Sequence, residues 1–192
     1  MTEALEVYDL DEKFLRQMDR DKFYAEIMEE FKKTGKVSKK VKSIRAILMN
    51  SDGRIYVQKR SSKKMYNAGL YDKTIGGHVV VNHTYRLTLI KEFAEELGFP
   101  VALLDDEEFE PAVKSTDLRV VGVFRQIDHL SDYLSVRKSP KGDMEQPFIT
   151  SFYIGYYDGS IRFCDGEASG VELFTLEELK EDIENSPNKY TE

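Results

Sequence analysis

An acidic helix enclosed by glycines restricts the fold and function of this chain more than any other segment. Between residues 84 and 97, apolar side chains recur at helical spacing and form one broad face. A second face carries Glu92, Glu95 and Glu96, whose spacings of three and four bring their side chains together. A glycine pair, Gly76-Gly77, precedes the helix, and Gly98 ends it.

Three carboxylates on one patch repel each other, and a divalent cation with oxygen ligands relieves that repulsion. A glycine pair lets the backbone approach a ligand closely and offers carbonyl oxygens to a metal. The alternative is a solvated acidic face, supported by Lys91 and Glu95 at a spacing of four. The glycines on both sides of the helix favour the metal site.

The elements around this helix predict an α/β (α+β) fold with a mixed sheet and helices on its faces. Residues 21–35 form a helix that ends at a glycine, and residues 43–49 and 55–59 flank a turn as a hairpin. Residues 118–127 and 148–157 read as strands because they are rich in β-branched and aromatic residues.

Two further segments complete the predicted order. Residues 171–174 read as a short strand, and Thr175 with Glu178 forms a capping box that opens a final helix. The acidic run over residues 105–110 reads as an exposed loop, because like charges at this density repel and prefer water.

Composition narrows the classes of partner and compartment. The 192 residues correspond to one domain of ordinary size. With 28 basic and 35 acidic side chains, the net charge of −7 argues against a nucleic acid polymer or an anionic membrane as the partner. A single cysteine, Cys164, allows no internal disulfide, and no signal segment or spanning apolar run is visible. We therefore expect a cytoplasmic protein.

The stretch from Gly77 to Phe99 resembles the Nudix box, a loop–helix–loop motif. Its glycine, glutamate and apolar positions are matched here by Gly77, Glu92, Phe93, Glu95, Glu96, Gly98 and Phe99. The resemblance implies a Nudix α/β/α sandwich with a mixed β-sheet and helices on both faces. It also implies a single domain over 1–192, with an N-terminal strand and helix extension over 1–40 and the box over 76–99.

The same resemblance implies the roles of the box residues. Glu92, Glu95 and Glu96 would be catalytic and, with the carbonyl of Gly77, would hold Mg²⁺ or Mn²⁺. The substrate would be a small molecule with a diphosphate linkage, and the many dimers among such proteins imply a homodimer.

Two positions depart from the box. His83 stands where the family has its first glutamate, and Lys91 stands where it has an arginine. In the family these two residues interact and help to orient the catalytic carboxylates. Either a supporting pair was replaced while the metal ligands stayed, or catalysis has weakened, since lysine does not replace arginine at a bidentate site.

The approach to the box, residues 59–64 and 68–72, resembles the isopentenyl-diphosphate isomerase-like branch of the family. The opening residues 6–24 also resemble that branch, in which a strand pair precedes a helix. There, cationic residues before the box hold the diphosphate, a role that falls here to Arg60, Lys63 and Lys64.

Gly76 stands where the isomerases have their catalytic cysteine, which argues against isomerisation. His78 matches a metal-binding histidine of the isomerases by position, and a hydrogen-bonded structural histidine is the alternative.

The expected function is metal-dependent hydrolysis of the diphosphate linkage of a nucleoside diphosphate derivative or a similar small organic diphosphate. A non-catalytic diphosphate-binding domain is the alternative, and an isomerase-like enzyme is a third. An additional acid that accepts a proton from water could be Glu145 or Glu167, between which the sequence does not choose. Tyr66, Tyr71 and residues 131–146 are candidates for the pocket wall.

Overall fold

A computed structural model describes residues 3–138, 142–161, 166 and 168–191, so Cys164 and Glu167 lie outside the described residues. The strands are β1 Ala4–Tyr8, β2 Phe14–Asp19, β3 Lys40–Met49, β4 Ile55–Arg60, β5 Tyr71–Asp72, β6 Ile75–His78, β7 Val101–Leu103, β8 Gly122–Arg137, β9 Met144–Tyr156 and β10 Ala168–Phe174. The helices are α1 Arg20–Thr34, α2 Tyr85–Glu92, α3 Asp106–Ser115 and α4 Leu176–Asn185.

The described strands join one mixed sheet, whose main path runs β10-β4-β3-β9-β8-β7. The neighbours β3 and β9 are parallel, as are β7 and β8, whereas β8 and β9 are antiparallel. Strand β6 also pairs with β3, in antiparallel register, which sets Gly77 opposite Ile44 and Gly76 opposite Arg45. The glycine pair is therefore held in the sheet directly before the acidic helix.

Helices cover both faces of this sheet. Val123 and Phe124 are successive residues of β8, so their side chains point to opposite faces. The ring of Phe124 packs on Phe93 at the end of the acidic helix, with centroids 4.5 Å apart. Val123 packs in a separate cluster with Phe109 of α3. The predicted sandwich with a mixed sheet is confirmed.

The N-terminal strand pair and helix form a second core against the start of β3 and β9. Phe23 and Ile27 of α1 are fully buried there with Val41 of β3. The helix begins at Asp19, whose carboxylate accepts backbone N–H groups, and ends at Gly35 in the left-handed region, with φ of 71°. The predicted helix and the strand pair before it are both confirmed.

The acidic run over residues 105–110 is not the predicted loop, because it begins α3. Acidic side chains in a first helical turn interact favourably with the positive end of the helix dipole, which offsets their mutual repulsion. Phe109, within the run, is buried and anchors the helix to the sheet. The single apolar residue was therefore more informative than the charges around it.

The acidic helix ends differently from the regular helix predicted over residues 84–97. After Glu92 the backbone continues as a π-helical turn, Phe93–Leu97, closed by a hydrogen bond from Gly98 N–H to Phe93 O at 3.0 Å. Within the wider turn Glu96 is 9% exposed, whereas the side chain of Glu95 is 66% exposed. Among the described residues, no helix is both long and apolar enough to span a bilayer.

Candidate active site

A cavity of about 330 Å³ lies between the acidic helix, β3, β6, the end of β8 and the loop between β4 and β5. Charged side chains of both signs line it. The acidic ones are Glu3, Asp72, Glu92, Glu95 and Glu96, and the basic ones are Arg20, Arg45, Arg60, Lys64, Lys73 and Arg137. The cavity thus combines oxygen donors for a cation with donors for a polyanion.

Gly77 and Glu92 are in direct contact at the floor of this cavity. A Cβ atom placed on Gly77 would lie 2.5 Å from Cδ of Glu92, closer than real atoms pack. The missing side chain therefore provides the room in which the Glu92 carboxylate lies against the β6 backbone. The glycine pair predicted a close approach to a ligand, and the contact seen here is instead with the carboxylate of Glu92.

The described residues offer an open set of oxygen donors. Glu92, Glu96 and the carbonyl of Gly77 are all hard ligands of the kind that Mg²⁺ prefers. Within the described ranges, no group of three or more aspartate, glutamate, histidine or cysteine side chains is arranged so that it could hold a metal ion by itself. An incomplete carboxylate set suits Mg²⁺, which keeps several of its own waters when bound. The donor chemistry therefore fits the predicted ion.

Glu95 differs from its two neighbours in the box. It lines the rim of the cavity but is exposed, and its carboxylate lies 3.7 Å from Lys91 Nζ, one helical turn earlier. Lys91, at the variant box position, thus pairs with Glu95. His83, at the other variant position, donates its backbone N–H to Val80 O at 3.0 Å in the turn before the helix.

Two of the three predicted diphosphate-binding residues line the cavity, namely Arg60 and Lys64. Lys63 is exposed and lies outside the lining. Arg60 is held by two acceptors, since its Nη1 donates to Asp72 Oδ2 at 3.2 Å and its Nη2 to Tyr66 O at 3.4 Å. The guanidinium is therefore fixed at the cavity wall.

The loop that carries Lys64 and Tyr66 is tied to the end of β8 by Asn67. Asn67 N–H donates to Lys138 O at 3.0 Å, and Lys138 N–H donates to Asn67 Oδ1 at 2.8 Å. Asn67 has a positive φ of 53°, a conformation that asparagine tolerates better than most residues. This clasp positions the predicted wall residue Tyr66 at the cavity.

Asp72 and Lys73 form a buried ion pair in the cavity wall, with Lys73 Nζ 3.0 Å from Asp72 Oδ1. Burial opposes the charge of Asp72, but Lys73, Thr191 and Arg60 together lower the pKa of this carboxyl to about 2. Burial lowers the pKa of Lys73 to about 8, against the attraction of Asp72. Repulsion from Arg45 and Arg60 contributes to this lowering.

Sequence reasoning missed Arg45, Lys73 and Arg137, all of which line the cavity. Arg45 lies in β3 among buried apolar residues, and a cation in such a strand was the available signal. Its Nη2 donates to Ser135 Oγ at 2.9 Å, and its guanidinium lies 4.2 Å from the Tyr133 ring centroid. Burial lowers the pKa of Arg45.

His78 is hydrogen-bonded to a residue of the N-terminal helix. Its Nε2 lies 2.5 Å from the hydroxyl of Tyr24, which also accepts a hydrogen bond from Arg137 Nη2 at 2.6 Å. Burial, and then the nearby cations beginning with Arg20, hold the pKa of His78 well below its usual value. The contact seen here is the one expected of a hydrogen-bonded structural histidine, which was the alternative to a metal-binding role.

The remaining candidates lie away from the cavity or outside the described residues. Tyr71 is absent from the lining, and its hydroxyl bonds to Glu172 on β10. Glu145 is exposed and neighbours the buried Gln146, so it points away from the face that carries Phe148. Glu167 lies outside the described residues.

Comparison with known proteins agrees with this architecture. A family model described as NUDIX domain matches residues 39–192. An isopentenyl-diphosphate Delta-isomerase from Serratia proteamaculans (strain 568) is 22% identical over 144 residues, or 75% of this chain. The chain spans 66% of the length of that curated relative.

Two of the solved structures that are similar to this chain come from Deinococcus radiodurans and Methanosarcina mazei Go1. The structure of DR0079 from Deinococcus radiodurans has a TM-score of 0.62 and 19% identity, covering 96% of this chain and 90% of that one. A MutT protein from Methanosarcina mazei Go1 has a TM-score of 0.47 and 18% identity, covering 70% of this chain and 76% of that one. The family match extends over most of the chain and includes the whole glycine-bounded acidic helix. The chain therefore belongs to the Nudix family.

Proposed function

We propose that this protein hydrolyses the diphosphate linkage of a small organic diphosphate, such as a nucleoside diphosphate derivative, with Mg²⁺ or Mn²⁺. The supporting observation is that one cavity is lined both by carboxylates and by cationic side chains. Glu92 and Glu96 lie on the acidic helix, and Arg60, Lys64, Lys73 and Arg137 lie on the surrounding strands and loop. Membership of the Nudix family supports a hydrolase that acts on phosphorus-containing anhydrides.

Glu92, Glu96 and the Gly77 carbonyl would hold the ion. When bound, a divalent cation neutralises phosphate charge and lowers the pKa of a coordinated water. The carboxylates then have two tasks, to hold the ion and to accept a proton from water. Glu96 suits the second task through its position, because it is buried at the cavity wall beside the proposed ion.

The cations would hold the phosphates of the substrate. Arg60 presents a guanidinium already fixed by Asp72, so little rotamer entropy is lost when it binds a phosphate. Lys64 and Lys73 add point charges in the same cavity. Charge on both bridging and terminal oxygens would then be balanced before the linkage breaks.

The alternative of a binding domain without turnover is favoured by one contact. Lys91 pairs with Glu95, so this carboxylate is engaged at the surface. An isomerase of the cysteine type remains the weaker alternative, because Gly76 occupies the position of the cysteine and the single cysteine of the sequence, Cys164, lies far downstream.

The test is release of phosphate, with pyrophosphatase added in one set of reactions and phosphatase in another, from a panel of nucleoside diphosphate and triphosphate derivatives, ADP-ribose, NADH, coenzyme A and isopentenyl diphosphate. Each compound is incubated with Mg²⁺, with Mn²⁺ and with chelator. We expect metal-dependent release that falls at least 100-fold in Glu92→Gln and Glu96→Gln, since each removes a carboxylate from the donor set.

Glu107→Gln is the matched control, because Glu107 is an exposed glutamate near the start of another helix. It should keep the wild-type rate and melting temperature. Wild-type turnover in Glu96→Gln would contradict the assignment of the carboxylates. Binding of a panel compound with no release under any metal would favour the binding domain.

A further inference from the structure

The N-terminal helix lies outside the matched family region, yet it reaches the cavity. The family match begins at residue 39, whereas α1 is Arg20–Thr34. Arg20 at the start of this helix lines the cavity, and Tyr24 one turn later contacts two of its wall residues. The cavity of this chain is thus partly built by a segment that the family match does not include.

Tyr24 holds Arg137 in a defined orientation. Arginine can only donate hydrogen bonds, so the Tyr24 oxygen accepts from Arg137 Nη2 at 2.6 Å. The Tyr24 hydroxyl proton is then directed at His78 Nε2, at 2.5 Å. A single hydroxyl is therefore fixed from both sides, and it fixes the guanidinium in turn.

Aromatic rings surround the same guanidinium. The Arg137 Cζ atom lies 4.5 Å from the Tyr24 ring centroid, 5.4 Å from that of Tyr66 and 5.8 Å from that of Phe148. Cation–π contacts of this kind stabilise a guanidinium while leaving its edge available for hydrogen bonds. Nε of Arg137 is buried without a hydrogen-bond partner, so the bond to Tyr24 and the rings set the orientation.

We propose that Arg137 binds a phosphate group of the substrate and that Tyr24 of the N-terminal helix is the residue that positions it. This inference rests on the proposed diphosphate substrate, but it requires binding only and not turnover. Arg137 lines the same cavity as Arg60 and Lys64. An arginine held in one rotamer loses less entropy on binding a phosphate than a free one, so the positioning contributes directly to affinity.

The experiment measures binding of imidodiphosphate, a diphosphate analogue with a P–N–P bridge, by calorimetry with and without Mg²⁺. Tyr24→Phe removes only the hydroxyl. We expect it to weaken binding about tenfold, because hydrogen bonds to charged groups contribute that much. Tyr8→Phe is the matched control, since the Tyr8 hydroxyl bonds to Glu6 in the same N-terminal segment, outside the cavity lining. Its affinity should equal that of the wild type.

A double-mutant cycle separates positioning from a general structural role. In an Arg137→Ala background, Tyr24→Phe should cause no further loss of affinity, because the residue that it positions is gone. Arg137→Lys, which keeps the charge but not the planar guanidinium, should also weaken binding. If Tyr24→Phe lowers the melting temperature substantially, Arg137→Lys is the variant that tests the phosphate contact. With a hydrolysed substrate, Tyr24→Phe should raise KM more than it lowers kcat.

The outcomes separate this inference from the proposed function. Binding of imidodiphosphate with the expected Tyr24 effect, but no hydrolysis of any substrate, would support the inference and overturn the hydrolase. Hydrolysis with unchanged affinity in Tyr24→Phe would overturn the inference alone. It would also be overturned if the Tyr24→Phe loss persisted in the Arg137→Ala background, or if the wild type failed to bind imidodiphosphate.

Discussion

Thr191 Oγ1 donates a hydrogen bond to Asp72 Oδ1 at 2.8 Å, which joins the C-terminal end of the described chain to the wall of the cavity. The same carboxylate oxygen accepts from Lys73 Nζ, and the other oxygen accepts from Arg60. Asp72 is thus the buried hub that arranges two cations toward the cavity. The negative charge of Asp72 offsets part of the positive charge of Lys73 and Arg60. The electrostatic field in the cavity therefore depends on whether Asp72 and Lys73 are protonated.

Acid should remove the contribution of Asp72 to folding. The folded-state pKa of Asp72 is about 2, below its usual value near 4, so the ionised form contributes stability above pH 4 that is lost as pH falls toward 2. We expect the difference in unfolding free energy between wild type and Asp72→Asn to shrink by about 2 kcal/mol over that range. Denaturant unfolding at several pH values measures it. A difference that stays constant from pH 5 to pH 2 would contradict the assigned pKa.

Affinity for a diphosphate should fall as pH rises through about 8, where burial sets the pKa of Lys73. Below that pH the ammonium attracts the ligand, and above it the amine is neutral. Calorimetry with imidodiphosphate from pH 6.5 to 9.5 measures the effect. The Lys73→Arg variant is the control, because its guanidinium stays charged over this range while the ligand titrates in the same way. Its affinity should therefore depend less on pH. Parallel profiles for the two proteins would exclude Lys73 as a ligand contact.

A side chain on Gly77 should displace Glu92. The added Cβ of Gly77→Ala would overlap the Glu92 carboxylate and push it from the β6 backbone, with a cost of about 1–3 kcal/mol in stability. We expect metal-dependent activity to fall more than tenfold. Gly170→Ala is the control, since a Cβ there would meet no atom within 4 Å. Equal activity in the two variants would show that the close contact has no role.

The core beneath the acidic helix should depend strongly on Phe93. This ring is fully buried, with centroids 4.5 Å from Phe124 and 5.5 Å from Phe99. Phe93→Ala should lower the unfolding free energy by about 3–5 kcal/mol, because it leaves a cavity that rigid neighbours do not fill. Leu87→Ala, on the exposed side of the same helix, should change it by less than about 0.5 kcal/mol. Urea denaturation measures both, and comparable losses would disprove the packing argument.

The local signals in the sequence predicted the elements that short-range chemistry determines. The helix that ends at Gly35 and the capping box between Thr175 and Glu178 both occur as expected, because each depends on residues a few positions apart. Glu92 and Glu96 also share one cavity with Gly77, as their spacing indicated.

Long-range pairing explains what the sequence did not reveal. Strand β8 was expected to end near residue 127, yet it continues to Arg137. Its second half is largely exposed and carries no clear apolar alternation, and it is a strand because it pairs with β9 up to Met144. Without that pairing, Arg137 could not be assigned to a site with Tyr24, a residue more than one hundred positions earlier.

The π-helical turn has a consequence for how this chain tolerates changes in length. Its closing bond spans five residues, so the turn holds one residue more than an α-helix would need between Phe93 and Gly98. Deleting Ala94 would let the helix close as a regular one, and the chain would fold with better local geometry. The turn would then be divided among four residues instead of five, so Glu95 and Glu96 would lie at other angles around the axis relative to Gly77. The number of residues in the turn therefore matters as much as their identity, because a deletion that regularised the helix would also change the positions of both carboxylates.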